Sequence, residues 1–253
     1  MMAHRDLLTF PWLVLFQVRQ LARTSFFLQT ALAAPAAFVL LRVTAGFING
    51  PDSAHSLWFD GAIAGIWATT TTATGMLGYQ RFLGTFEYLI VSPLRPSVVY
   101  GSILAASAFL GLIGVPLAVA LQFVTDHVVS VTSQQILGLL AALFACVASA
   151  HVLAAVFVFS RHANAFEPLL LVPVWLLVGV VVPTDGLPRP LALVALLHPI
   201  SSAVRASRET AMSSAVSWAC VSVVIGVMWL YFGSRLLVKA QQLAALHGTS
   251  GKS

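Results

Sequence analysis

Apolar residues along this chain fall in blocks long enough to matter in lipid. A helix that spans a bilayer needs roughly 20 mostly apolar residues. Six blocks approach that length: Phe26 to Ile48, Leu57 to Gly78, Val98 to Gln122, Gln135 to Phe159, Pro168 to Val182, and Val216 to Leu237. The fifth is short, and the apolar stretch after it, Leu187 to Ile200, is also too short to span easily. Ahead of the first block, Leu7 to Val18 is apolar but broken by Pro11 and followed by Arg19 and Arg23. That is the pattern of an amphipathic helix lying in the membrane interface. A cleaved signal peptide with its processing site at Ala31 to Ala37 is the competing reading. The apolar run continues past that point to Leu41 and five more blocks follow, which argues against it. The pattern therefore predicts an all-α polytopic membrane protein with six transmembrane helices and an N-terminal interfacial helix over residues 1–25.

Charge gives the orientation. Only 8% of the residues are charged, against about a quarter in soluble domains, which leaves no room for a sizeable soluble domain. The formal charge of +5 is not gathered into a block but spaced between apolar runs, as membrane anchors are and nucleic-acid patches are not. One set of loops and termini holds Arg5, Arg19, Arg23, Arg81, Arg95, Arg161, Arg235, Lys239 and Lys252. The other holds Arg189, Arg205 and Arg208, with Asp52, Asp60, Asp126, Asp185 and Glu209. The basic set belongs in the cytoplasm, so both termini lie inside and the number of crossings is even. A crossing by Leu187 to Ile200 would flip that parity. Residues 183–201, rich in proline (Pro183, Pro188, Pro190, Pro199), are therefore read as a re-entrant segment, and 238–253 as a cytoplasmic tail. Backbone freed by proline survives at membrane depth only when buried in protein or lining a wet cavity.

Sites of chemistry are few. Cys146 and Cys220 lie in apolar runs, with neither disulfide nor metal spacing. The terminal Gly251-Lys252-Ser253 resembles the end of a phosphate-binding loop, but the first glycine of that pattern would fall on Leu246. Metalloprotease His-Glu pairs and G-x-S-x-G are absent, and no metal or cofactor is expected on this chain. Thr69 to Thr72 and Thr74 stand in the second block with Gly61 and Gly65, a pair that permits close helix approach. Thr70, Thr71 and Thr74, with His151 in the fourth block, are candidates to line a polar translocation pathway. The alternatives are threonine hydroxyls bonded to their own helix carbonyls and a neutral histidine bonded to a neighbouring helix. Arg42, near the end of the first block, is long enough to snorkel to the headgroups.

The loop over 79–96 is the most informative segment. Phe82, Phe86, Leu89 and Ile90 recur at i, i+4, i+7 and i+8, one face of a short helix, and Pro93 ends it. Gly84-Thr85-Phe86-Glu87-Tyr88-Leu89 followed by Ser92-Pro93 resembles the G-T-x-E-x-L-x-x-[ST]-P signature of ABC type-2 permeases, at the same place between the second and third spans. Pro183 through Leu187-Pro188, with His198-Pro199-Ile200-Ser201 and Arg205, is similar to that family's re-entrant segment before its last helix. Where the family usually carries a charged cluster before Gly-Thr, Tyr79, Gln80, Phe82 and Leu83 stand here and only Arg81 is charged, so a mainly apolar contact is expected.

The resemblance implies a single permease domain over 1–253. Two such subunits, copies or paralogues, would pair in the membrane with two separate cytoplasmic ABC ATPase subunits that carry the ATP and Mg. Arg81, Phe82, Gly84, Thr85, Phe86, Glu87, Leu89 and Pro93 would form the ATPase-coupling helix. Relatives export drugs, antibiotics, lipids and polysaccharides across the plasma membrane. Without charges at mid-membrane, this chain suits an amphipathic or hydrophobic cargo. The alternative is a secondary carrier or channel driven by an ion gradient, which commonly holds a deep acidic residue; Asp60 is the one acid in a predicted span and sits near its outer end. The topology has a direct test. Single cysteines at Arg95, Arg161 and Lys239 are expected to resist impermeant thiol reagents applied outside intact cells, while one at Asp126 labels; labelling at Lys239 would rule out the six-span arrangement.

Overall fold

The computed structural model describes residues 2–49, 57–82, 92, 94–125, 128–159, 167–181 and 184–246, and every element among them is helical. The helices are α1 (Met2–Ala22), α2 (Ser25–Asn49), α3 (Leu57–Phe82), α4 (Pro96–Gly111), α5 (Gly114–Val124), α6 (Ser133–Phe159), α7 (Glu167–Leu177), α8 (Arg189–Leu196), α9 (Pro199–Arg208) and α10 (Met212–Leu246), with a 3-10 turn at Thr184–Gly186.

Pro11 does not break α1, as the sequence suggested; it stands inside a continuous 21-residue helix. One face of α1 buries Leu21 and packs on α4, while Trp12, Leu15 and Phe16 stay exposed on the protein surface. An apolar face left uncovered by protein is what an interfacial helix offers to acyl chains.

α3 is the centre of the bundle, and residues Leu57 to Thr74 are buried throughout. Its partners reach it through small residues. A Cβ built on Gly65 would stand 3.0 Å from Pro35 Cδ of α2, and one on Gly61 would stand 2.7 Å from Val39 Cγ2. Gly114 of α5 meets the same proline, with Pro35 Cγ at 2.6 Å. The glycine pair of α3 thus faces α2 within one chain. At the far end of α4, Gly111 would place a Cβ 2.7 Å from Ile66 Cα.

α4 and α5 form one 29-residue stretch, Pro96–Val124, interrupted at Leu112 and Ile113. The cause is Pro116, which has no N–H to give to the carbonyl four residues earlier. The chain tightens instead, with Leu112 N donating to Phe109 O at 3.2 Å and Ile113 N to Leu110 O at 3.0 Å. α6 opens with a reciprocal cap. Thr132 N donates to Gln135 Oε1 at 3.0 Å and Gln135 N to Thr132 Oγ1 at 3.2 Å, which satisfies two otherwise orphaned donors. α6 and α10 then pack along much of their lengths, with Gly226 against Phe144 and Gly233 against the His151–Val152 backbone.

Among the described residues, four helical stretches are long and apolar enough to cross a membrane: Ser25–Gly46, Pro96–Val124, Ser133–Phe159 and Met212–Leu243. The pair α8 and α9, bent by 95°, brings the number to as many as five. α3 has the length, at 26 residues, but its threonines and glycines make it too polar by composition, and protein rather than lipid surrounds it. The predicted span Pro168 to Val182 appears as the 11-residue α7, roughly 16 Å of helix at 1.5 Å per residue. It is stopped by Gly179, whose φ of +88° lies in the left-handed region that glycine tolerates. α10 begins earlier and ends later than Val216 to Leu237, continuing to Leu246.

Close helix approach at backbone level leaves no room for a larger side chain. Gly138→Val, where a Cβ already meets Ala203 O at 2.9 Å and Ser207 Cβ at 2.8 Å, is expected to cost about 1–3 kcal/mol. Gly46→Ala, with nothing within 4 Å of its Cβ, is expected to be near neutral. Thermal unfolding of the purified chain in detergent separates the two; equal midpoints would show that the α6–α9 contact is not tight.

Candidate functional site

At one end of the bundle α3 stops at Phe82 and α4 starts at Pro96. Arg81 and Phe82 belong to the last turn of α3. Gly84, Thr85, Phe86, Glu87, Leu89 and Pro93 lie outside the described residues. On the return side Leu94 N donates to Ser92 Oγ at 3.3 Å. Arg95 is extended (φ −61°, ψ 139°), and its carbonyl accepts from Val98 N at 2.9 Å and Val99 N at 3.1 Å. Proline at the first helical position fits this start, because its missing N–H is one the helix would leave unpaired anyway. Around this end Leu21 of α1, Leu77 of α3, Tyr100 and Leu104 of α4, and Leu237 of α10 share one apolar cluster. α4 packs on both α1 and α10, and α3 joins them through this cluster.

The threonines of α3 are turned onto their own helix. Thr70 Oγ1 donates to Ile66 O at 2.8 Å, Thr71 Oγ1 to Trp67 O at 2.8 Å and Thr74 Oγ1 to Thr71 O at 2.6 Å. Thr69 Oγ1 reaches Ile66 O at 2.9 Å. His151 is buried on α6, with Nδ1 2.8 Å from Val147 O and Nε2 close to Gly101 of α4. All four residues considered for a pathway, Thr70, Thr71, Thr74 and His151, lie inside the packed bundle of one chain.

The bend between α8 and α9 is where backbone bonding is interrupted, and two side chains of α10 hold it. Trp229 Nε1 donates to Leu197 O at 3.0 Å, and Ser222 Oγ donates to Pro199 O at 2.8 Å. The His198 ring lies between two indoles, 5.1 Å from Trp229 and 6.0 Å from Trp67 of α3. Further along, Arg205 donates through Nε and Nη2 to Thr184 Oγ1 at 3.1 and 2.9 Å and stacks over Trp218 at 5.0 Å. Arg42 Nη1 donates to Val181 O at 2.9 Å. That arginine is thus bonded to the turn after α7 instead of reaching for headgroups, because the turn leaves a carbonyl that needs a donor.

At the end opposite Phe82, Asp60 of α3 pairs with Arg208 at the end of α9 at 3.3 Å. The start of α3 is also capped from α5, where Gln122 Oε1 accepts from Trp58 N at 2.8 Å. Sequence reasoning named Asp60 and Arg205 but missed the roles of Trp67, Trp229, Arg208 and Ser222. A tryptophan or arginine inside an apolar block was the available signal; its partner, 148 residues away for Asp60 and Arg208, was not readable from the chain.

A helical bundle with, among the described residues, four or five stretches able to cross a membrane, and with bent backbone held by its own side chains, is that of a membrane-embedded helical protein. The ABC-2 type transporter family matches residues 9–212, more than half of the chain, and the protein belongs to that family. It is a multi-pass ABC transporter permease, in a family that serves as the transport subunit and associates with an ABC ATPase. No curated protein matches the chain. The two donors at the bend give a test. Trp229→Phe keeps the ring against His198 and deletes one bond, and Ser222→Ala deletes the other. Each is expected to lower stability in detergent by about 0.5–1.5 kcal/mol; unchanged unfolding midpoints for both would show that the bend does not depend on α10.

Proposed function

We propose that this permease works as the membrane half of an ATP-driven exporter for an amphipathic or hydrophobic small molecule, drug, lipid or glycan. ATP and Mg would sit on a separate cytoplasmic ATPase chain, and a second copy or a paralogous permease would complete the transport unit. The observation that carries the reading is the signature Gly84-Thr85-Phe86-Glu87-Tyr88-Leu89 with Ser92-Pro93, placed between α3 and α4. α3 is unbroken from Leu57 to Phe82, so a push at residues 83–95 is delivered straight to the buried centre of the bundle. On this reading α3 and the stretch around α7 to α9 complete the membrane passage, giving six crossings in the plasma membrane. The orientation rests on charge. Arg95, Arg235 and Lys239 belong to the Phe82 end, read as cytoplasmic with both termini. Arg205 and Arg208 belong to the opposite end and are both engaged with protein groups.

Arg81, Phe82, Gly84, Thr85, Phe86, Glu87, Leu89 and Pro93 form the coupling element. Its apolar residues need cover at a cytoplasmic loop, since burying one such side chain is worth about 1.5–3 kcal/mol. On this reading the role of Glu87 is to hold the coupling element in place against the partner. Thr70, Thr71, Thr74 and His151 keep a place as pathway residues only if the helices around α3 part during transport. Purification from native membranes with identification of the co-purifying chains is the test of class, and an ABC ATPase is the expected companion. Phe86→Asp is then expected to weaken ATPase retention roughly 10- to 100-fold, as loss of one buried aromatic implies. Glu87→Ala should lower ATP hydrolysis by the membrane complex while the permease still inserts. Normal retention and normal hydrolysis in both variants would reduce the loop to a connector.

A further inference from the structure

Four cations, two on α1 and two on α10, stand near one level of the bundle. A Cβ built on Gly101 of α4 would stand 3.5 Å from Phe10 Cε2 of α1 and 3.2 Å from His151 Nε2 of α6, and one on Gly233 of α10 would stand 2.9 Å from His151 Cβ. Phe10 and Gly233 are thus level with each other, little more than about one helical turn inside the Pro96 start of α4. From Gly233, α10 continues to Arg235 and Lys239, roughly 3 and 9 Å further along its axis. From Phe10, α1 continues to Arg19 and Arg23 and hands over to α2 at Ser25. α2 runs antiparallel to α3, with Pro35 on Gly65 and Val39 on Gly61, so that handover also lies at the Phe82 end. All four basic side chains are exposed, and none is paired with a carboxylate among the described residues.

Each pair shares its helix face with apolar side chains that the chain itself leaves uncovered. On α1, Trp12, Phe16, Arg19 and Arg23 recur at i, i+4, i+7 and i+11, one face, while Val14, Val18 and Leu21 pack inward. On α10, Tyr231, Arg235 and Lys239 recur at i, i+4 and i+8, beside exposed Phe232 and Leu236. Arg235 is not stretched toward water. Its guanidinium lies back over the Tyr231 ring at 5.4 Å and donates through Nη2 to the phenol oxygen at 3.2 Å. A face that met only water would not carry Trp12, 73% exposed, and one that met only acyl chains would not carry cations. Aromatics and cations side by side are the composition of a membrane–water interface.

We propose that these two faces bind anionic phospholipid, with Arg19 and Arg23 holding one headgroup phosphate and Arg235 and Lys239 another. A guanidinium presents paired N–H donors that match a phosphate, and Tyr231 holds that of Arg235 at the level where the phosphate lies. The selectivity is for net charge, because a zwitterionic headgroup brings its own ammonium to the same cations. α4 packs on both α1 and α10, so the two lipids would brace the helix that leads out of the 83–95 connection. The proposal rests on the membrane placement of the bundle and is independent of the exporter reading.

The test uses the purified full chain with Cys220→Ala, which removes the exposed cysteine and leaves Cys146 buried. A bimane fluorophore is attached at Gln20→Cys beside the α1 pair, at Gln242→Cys beside the α10 pair, or at Phe123→Cys, exposed at the opposite end. The vesicles hold equal phosphatidylcholine and phosphatidylglycerol in both leaflets, with a nitroxide quencher on the acyl chains of one lipid or the other. Phosphatidylglycerol is expected to be enriched roughly fivefold at positions 20 and 242, the worth of one basic residue at an anionic surface, and not at position 123. Arg19→Gln with Arg23→Gln should abolish the enrichment at position 20 and leave it at 242. Arg235→Gln with Lys239→Gln should do the reverse, a reciprocity that misfolding does not produce. Equal quenching by the two lipids at positions 20 and 242 would overturn the proposal. So would enrichment that survives both double variants, or that reaches the same value at position 123. Inorganic phosphate at constant ionic strength should leave the enrichment intact; its loss in millimolar phosphate would assign the cations to a soluble anion and overturn the lipid site.

Discussion

A helix with four consecutive threonines stands at the centre of this membrane bundle, and that arrangement depends on where the hydroxyls go. In the interior no water is at hand to satisfy them, and an unpaired hydroxyl costs about 1–3 kcal/mol. Thr69, Thr70, Thr71 and Thr74 bond back to carbonyls of α3 itself, so the helix presents mainly methyl groups to its neighbours. That frees the surrounding helices to be apolar and small. Pro35, Gly61, Gly65 and Gly111 bring α2 and α4 against α3 at backbone distance, and Gly114 brings α5 against α2. The same composition that makes α3 a poor lipid-facing helix makes it a suitable core.

Elsewhere the backbone is broken, and each break has its own remedy. The Pro116 break between α4 and α5 is closed by shorter-range backbone bonds. The bend at His198 has bonds of the same kind, with His198 N donating to Ala195 O at 3.0 Å, and adds two donors from α10. The turn after α7 takes a donor from Arg42 of α2. Irregular backbone at membrane depth requires such internal partners. These contacts also make the segment from α7 to α9 dependent on α2 and α10, so it does not move as an independent unit.

The two ends of the bundle differ in the same spirit. At the Phe82 end an apolar cluster ties α1, α3, α4 and α10 together. At the Asp60 end the ties are polar and specific: Asp60 with Arg208, Trp58 with Gln122, Gln134 with Thr210. Apolar packing tolerates sliding, whereas polar pairs are either made or broken.

The sequence by itself determined the class. Apolar block length, scarcity of charge and the distribution of basic residues decide a helical membrane protein, because lipid imposes length and composition on any helix that crosses it. The Gly84 to Pro93 signature carried the family, although its own geometry lies outside the described residues. Tertiary structure alone decided which helices face lipid. α3 and α6 both fall in predicted spans, yet one is enclosed by protein and the other also exposes Leu140 and Val156. It also decided that Gly61 and Gly65 serve α2 within one chain, that Arg42 serves Val181, and that α7 is too short to cross as a single helix. These are pairings between residues far apart in sequence. No local pattern encodes them, because a donor or a small residue is written the same way whichever partner it meets.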